Sequence, residues 1–242
     1  MCDEIENVIA SADDQGIIEW CREEFSNVDL GDKRLNRRLI ETAGRMAAHP
    51  QAPINQACED CAATKASYRL FANERTTENK IMKPHQECTQ ERMRGHPLVL
   101  AIQDTTYVDY TAHLKTKGLG PIGTKKQNLS GFVMHPTLIL TPEGLPLGVL
   151  VQNMWVRPKD EPEEAEDRAY IPIEEKESYK WLVNLEKTVE LTPEGVQVVS
   201  VCDREADIFE FFVRANELAT SILVRSTRSE ERRVGKECIV KC

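Results

Sequence analysis

Apolar positions recur at helical spacing through the first third of the chain, then give way to β-branched runs. In "DDQGIIEWCREEF", Ile17, Ile18, Cys21 and Phe25 fall on one helical face with Trp20 beside them. "GDKRLNRRLIETAGRMAAHP" predicts a clearer helix. Asp32 can cap its N-terminus, Leu35, Leu39, Ala43 and Met46 share one face, and His49-Pro50 stops it. Residues 54–72 and about 77–93 continue as helix, and "GHP" at Gly95 to Pro97 punctuates the chain.

Beyond that point the period changes. Strands are expected over Leu98–Tyr110, Ser130–Thr141 and Leu145–Arg157, with "TPEG" as the tight turn between the last two, giving an antiparallel meander. An acidic, proline-containing stretch, "PKDEPEEAEDRAYIP", reads as a mobile loop. "IEEKESYKWLVNLEKTVEL" then predicts a helix with Tyr179, Leu182, Val183 and Leu185/Glu186 near one face. A strand over Val196–Cys202, a helix in "IFEFFVRANEL" and a strand in "TSILVRS" complete the order β-β-β-α-β-α-β. The expected fold class is therefore α/β: a helical region followed by a mixed sheet. A helix between the last two strands predicts that they are parallel, with their carboxyl ends on a common edge, where open α/β sheets collect functional groups.

Charge changes this picture once it is divided. The net charge of −9 over 242 residues argues against nucleic acid as a partner. Yet residues 1–30 hold one Lys/Arg against nine Asp/Glu, residues 31–95 hold twelve against eight, and residues 157–194 hold six against twelve. The average hides a basic segment, as an electrostatic footprint on phosphates requires. Lys33, Arg34, Arg37, Arg38 and Arg45 lie mostly off the apolar face of the second helix. They form either a solvated face or a surface laid against DNA backbone. No apolar run approaches the length of a membrane span and the acidic N-terminus is unlike a signal, so a cytoplasmic chain with no membrane partner is expected.

Eight cysteines are scattered along the chain, as suits a reducing compartment. Cys58 and Cys61 alone have ligand-like spacing, and no second pair or nearby His completes a zinc site. They are read as small core residues of one helix.

The sharper chemical signal is carboxylate. The strand "VVSVC" breaks into Asp203-Arg204-Glu205-Ala206-Asp207, and the first strand ends its apolar run at Asp104 in "VLAIQDTT". Singly, Asp104 can cap a turn with Thr105 and Thr106, and Asp203 and Asp207 can pair with Arg204. If the two strands are neighbours, both carboxylates leave one sheet edge, and a hard divalent cation, Mg²⁺ or Mn²⁺, would relieve their repulsion. Metal ions held by carboxylates suit in-line displacement at phosphorus.

"DLGDKRLNRRL" at Asp29–Leu39, "ATKASYRLFAN" at Ala63–Asn73, "IQDTT" at Ile102–Thr106, "WVRP" at Trp155–Pro158, "EEKESYKWL" at Glu174–Leu182 and "VCDREADI" at Val201–Ile208 occur in this order. Together the chain resembles the IS4-family DNA transposases, and within them the Tn5-like branch. The resemblance implies a DDE transposase. Its helical N-terminal domain would bind double-stranded transposon-end DNA, and a ribonuclease H-like core would catalyse with two Mg²⁺ or Mn²⁺ ions. Asp104 matches the first carboxylate and Asp203 the second, and Arg225 in "ILVRS" matches a DNA-contacting strand. The implied chemistry is a nick by water at the transposon end, hairpin formation by the freed 3′-hydroxyl, opening, and joining to target DNA. A homodimer around two ends and a bacterial, nucleoid-associated location are implied with it.

The resemblance stops after Thr227. The helix carrying the third carboxylate, with its Tyr, Arg and Lys, has no counterpart, and Glu230, Glu231 and Glu237 lack that spacing. The expected organisation is a DNA-binding domain at 1–94, a truncated catalytic core at 95–227 and a non-native tail at 228–242, leaving the chain catalytically inactive. The competing readings are a chain that acts only by binding DNA, inhibiting a full-length relative, and a ribonuclease H-like nuclease that never transposes.

Overall fold

The structure, a computed structural model, describes residues 14–123, 127–158 and 171–226. The expectations for the acidic loop, over its residues 159–170, and for the tail at 228–242 fall outside the described residues. The chain divides into two compact units between Cys88 and Thr89.

In the first unit, α1 (Asp14–Glu24), α2 (Lys33–Ala48), the single turn α3 (Ile54–Ala57) and α4 (Cys61–Phe71) precede α5 (Glu78–Met93). The division falls inside α5, ahead of the expected boundary after residue 94. The end of that helix belongs to the second unit: Met93 is fully buried with Val99 and Ile139, and Arg92 donates to Leu147 O.

α2 starts where expected, with the extended Asp32 accepting a hydrogen bond from Arg34 N at 2.8 Å. Leu35 and Leu39 pack with Val28, Leu30 and Leu70. The rest of the predicted face is corrected. Met46 is 39% exposed, and Thr42 and Gly44 are buried in its stead. Thr42 Oγ1 bonds Ser67 Oγ at 3.0 Å, and Gly44 lets Ile18 of α1 approach. On α1 the buried positions include Cys21 and also Glu24, whose carboxylate is satisfied by His85. Polar pairs and a glycine thus fill places that an apolar pattern does not register.

The expected continuous helix over 54–72 is broken. Glu59 takes a positive φ of 61°, and Asp60 caps a new helix by accepting from Ala63 N at 2.7 Å. Cys58 is therefore buried against Ser67 Oγ at 3.3 Å, while Cys61, on the first turn of α4, is exposed. The two cysteines do not share a packed helical face.

The second unit is built on one mixed sheet of β1 (Leu98–Gln103), β2 (Thr106–Asp109), β3 (Gly120–Ile122), β4 (Leu129–Leu140), β5 (Pro146–Trp155), β6 (Gln197–Cys202) and β7 (Ser221–Val224). The expected first strand is two strands, interrupted at Asp104-Thr105, and β3 is additional. β4 pairs antiparallel with β1 and β2 on one side and with β5 on the other, so the predicted meander forms. Gly144 N closes the "TPEG" turn on Thr141 O at 2.9 Å. β6 lies parallel to β1, and β7 parallel to β6.

One face of this sheet is buried: Val99, Ala101 and Gln103 of β1, Val133 to Ile139 at alternate positions of β4, and Val198, Ser200 and Cys202 of β6. α6 (Tyr179–Leu191) covers it, and α7 (Phe209–Glu217) joins it in a cluster of Trp181, Leu182, Leu185, Cys202 and Phe211. The buried residues of α6 are Lys180, Trp181, Leu182, Asn184, Leu185 and Thr188, so the predicted Leu182 and Leu185 are buried while Tyr179 and Val183 lie at the margin. Three of the six are polar, and an apolar pattern does not register them.

Candidate functional site

The parallel pairing of β1 with β6 runs in register from Leu98↔Gln197 to Gln103↔Cys202. The next residue on each strand is Asp104 and Asp203. The pairing of β6 with β7 ends at Cys202↔Val224, and Arg225 N still donates to Cys202 O at 3.1 Å. Asp104, Asp203 and Arg225 thus occupy successive positions along one carboxyl edge, on strands spaced about 4.8 Å apart. Asp104 and Arg225 are exposed and Asp203 is half-buried.

Each carboxylate also holds its own turn. Asp104 Oδ1 accepts from Thr105 N at 2.8 Å, and Asp203 Oδ1 accepts from Glu205 N at 2.8 Å, capping the short 3₁₀ turn Arg204–Ala206. The cap foreseen for Asp104 exists, alongside the juxtaposition of the pair. Asp203 caps a turn, a role different from the pairing with Arg204 expected of it. An aspartate that accepts one amide has lone pairs left for a cation.

Beneath Asp104 lies a buried polar layer. His135 of β4 is fully buried, with Nδ1 3.0 Å from Thr105 Oγ1 and Nε2 3.3 Å from Gln103 Oε1. The amide oxygen can only accept, so Nε2 carries the proton and Nδ1 accepts from the threonine hydroxyl. Burial, with the positive charge of Lys180 assisting, depresses the imidazole pKa to about 3. It is a neutral brace. Trp181 meets its ring edge-on at 4.5 Å, and Asn184 Nδ2 donates to His135 O at 2.9 Å. Beneath Asp203, the Cys202 thiol is pushed up to about 12 by burial and by the neighbouring carboxylate. It stays protonated and offers no thiolate to a metal.

To one side runs a chain of charged groups that includes the "WVRP" and "EEKESYKWL" segments. Arg157 makes a two-pronged contact with Glu177, at 2.6 and 2.7 Å, and donates to Tyr107 OH at 3.0 Å while its guanidinium lies over that ring. Glu177 holds Arg157 still more firmly protonated. Lys180, only 7% exposed, lies 3.8 Å from Glu177 and 3.2 Å from Glu205. A groove of about 340 Å³ borders these groups, lined also by Asn153, Trp155 and Val183. The ordinary strand and helix signals gave no hint that these residues meet.

In the first unit, Lys33, Arg34 and Arg37 of α2 are exposed and Arg38 is half-exposed. Arg37 is 3.4 Å from Glu41, a fully solvated pair that leaves the guanidinium available. Arg45, on the same helix, is tied to Cys58 O and lies 3.6 Å from Asp60, so it serves packing. α4 adds exposed Lys65, Tyr68 and Arg69, a cationic and aromatic set that the sequence reading did not single out. Their spacing of three and four residues is the signal that could have found them.

Among the described residues no helix is long and apolar enough to cross a membrane, and no group of three or more His, Cys, Asp or Glu is placed to hold a metal ion. Residues 17–76 match the family model described as transposase DNA-binding. The match covers α1 to α4 with their basic and aromatic side chains. The first unit is therefore similar to the DNA-binding domain of transposases, which supports a transposase-related role with DNA as partner.

Proposed function

We propose that this chain is a DDE-type DNA transposase of the IS4 family, close to its Tn5-like branch, with a ribonuclease H-like catalytic sheet behind an end-binding helical unit. The observation that carries the reading is the β1–β6 register, which sets Asp104 and Asp203 side by side in a chain whose first unit matches a transposase DNA-binding domain. Asp104 and Asp203 act as the metal-holding carboxylates. Arg225 and the α2 cations Lys33, Arg34, Arg37 and Arg38 act on DNA phosphates.

The donors suit a hard divalent ion such as Mg²⁺ or Mn²⁺: both are carboxylate oxygens, and the adjacent Cys202 is an uncharged thiol. When bound, such ions neutralise charge that develops on the scissile phosphate and aid the attacking oxygen. The protein's own share is to bind and orient. Asp104 and Asp203 hold the cation, His135 and Thr105 steady the turn after β1, and Arg225 pairs with DNA phosphate beside them. The reaction is attack of water on phosphorus with loss of the 3′-oxygen, giving a 3′-hydroxyl and a 5′-phosphate. Hairpin formation, opening and joining to target DNA by a homodimer complete the proposed cycle.

The experiment is duplex binding by fluorescence anisotropy across a salt series. Replacing Lys33, Arg34, Arg37 and Arg38 one at a time with Ala lowers the logarithmic salt slope by about one for each phosphate left without its cation. A quadruple Ala variant that binds with the parent's slope shows that the face is only solvated, and removes the DNA-binding reading of α2.

A further inference from the structure

Tyr107 lies just beyond Asp104 on the chain, and Glu205 just beyond Asp203. Between them the structure runs one unbroken series of contacts: Tyr107 OH to Arg157, Arg157 to Glu177, Glu177 to Lys180, Lys180 to Glu205. Each link comes from a different part of the second unit. Tyr107 sits on β2, Arg157 just after β5, Glu177 just before α6, Lys180 on its first turn, and Glu205 in the turn capped by Asp203.

Such a series is costly to assemble unless it does something besides bridge the surface. Lys180 is buried to 7% exposure, and burying an ammonium is unfavourable without carboxylates around it. Arg157 is 16% exposed and spends a paired fork on Glu177, the geometry that fixes direction as well as distance. Neither end of the series stabilises a core. Tyr107 and Glu205 are both exposed. Glu205 N is the donor that Asp203 caps, and Tyr107 lies on β2 two residues after Thr105, whose amide donates to Asp104.

Two like charges on adjacent strand ends repel. His135 and the β2–β4 pairing hold the turn after β1 on its own side. The series from Tyr107 to Glu205 is what links that turn to the one after β6. We propose that Tyr107, Arg157, Glu177, Lys180 and Glu205 form a positioning clamp that sets the separation of the Asp104 and Asp203 carboxylates. The clamp rests on the reading that these two carboxylates act as a pair on one cation. Its direct contact with the pair is the Glu205 N–H, which donates to Asp203 Oδ1 at 2.8 Å; its side chains act through the two turns. It fixes the turn after β1 and the turn after β6 against a common element, α6.

The test uses the full chain and two readouts. The first, in metal-free protein, is the ¹⁵N relaxation order parameter of the Thr105 and Glu205 amides. The second is Mn²⁺ affinity by calorimetry. Lys180→Met keeps the aliphatic stem and removes the charge, Lys180→Arg keeps the charge, and Glu205→Gln changes only the exposed end and leaves the core intact. In Lys180→Met both order parameters fall from about 0.85 toward 0.6. Its Mn²⁺ affinity drops about tenfold, since the pairs of Lys180 with Glu177 and with Glu205 are both lost. Lys180→Arg restores both, and Glu205→Gln follows Lys180→Met.

Loosening of Glu205 alone, with Thr105 unchanged, makes Lys180 a local partner and overturns the clamp. So, where the parent binds Mn²⁺, does an equal affinity in Lys180→Met. If the parent binds no Mn²⁺ while both turns loosen together, the clamp stands and the metal reading fails. If the parent binds Mn²⁺ and neither turn responds, the metal reading stands and the clamp fails.

Discussion

His135 shows how a single buried side chain can write a pH dependence into the fold. Its pKa is depressed to about 3 in the folded chain, chiefly by burial, against an ordinary value of 6.5. The unfolded chain therefore binds the extra proton first as pH falls below 6.5, and stability drops from there toward pH 3. Between pH 6.5 and 5, before most carboxylates titrate, the loss from this group approaches roughly 1.4 kcal/mol per pH unit. Urea unfolding at a series of pH values measures it, and His135→Gln, which takes up no proton there, removes that slope whatever its own cost. Cysteine reactivity sorts by the same logic of burial. The Cys21 thiol is pushed up to about 11 and Cys202 to about 12, whereas Cys61 is exposed. Brief alkylation of the native protein at pH 8 followed by peptide mapping labels Cys61 and spares Cys21 and Cys202. Labelling of Cys202 at the rate of Cys61 contradicts the packing described around β6.

Among the elements, the loop before α2 is stitched by Asn36, which accepts from Leu30 N at 2.9 Å and donates to Val28 O at 2.7 Å. Asn36→Ala leaves both backbone groups short of a partner and costs about 1–3 kcal/mol in thermal or chemical unfolding, without changing charge. This separates the structural residue of "DKRLNRRL" from its cationic neighbours. Gly131 plays a comparable part in the sheet: a Cβ there would collide with Val108 O, so Gly131→Ala disrupts the β2–β4 pairing. Retained strand pairing with unchanged stability refutes that close approach. The helices, the meander and the parallel β6–β7 pair were legible because each has a regular apolar period. The split of the first strand at Asp104 was not, because "VLAIQDTTYV" stays strand-like on both sides of it. Nor was the break at Glu59-Asp60, where a positive φ and a cap interrupt an otherwise helical run. β3, at three residues, is too short to carry a period.

At the scale of the whole molecule the uneven charge acquires a place. The basic stretch maps to the unit that matches a transposase DNA-binding domain, and the carboxylates of interest sit on the second unit's sheet edge. That Asp104 and Asp203 would be neighbours was legible from two apolar runs ending in Asp, given parallel strands. The Asp104 cap was legible too, but the cap that Asp203 makes on Glu205 N was not. What the sequence withheld was the surrounding support: His135 below, and the linked charges from Tyr107 to Glu205 beside it, drawn from residues far apart on the chain. The most direct test of the account is calorimetric titration of Mn²⁺ into the metal-free chain, beside Asp104→Asn and Asp203→Asn. The account predicts binding by the parent that either substitution abolishes while the fold, read by circular dichroism, is kept. Equal Mn²⁺ binding by all three proteins contradicts the paired-carboxylate site.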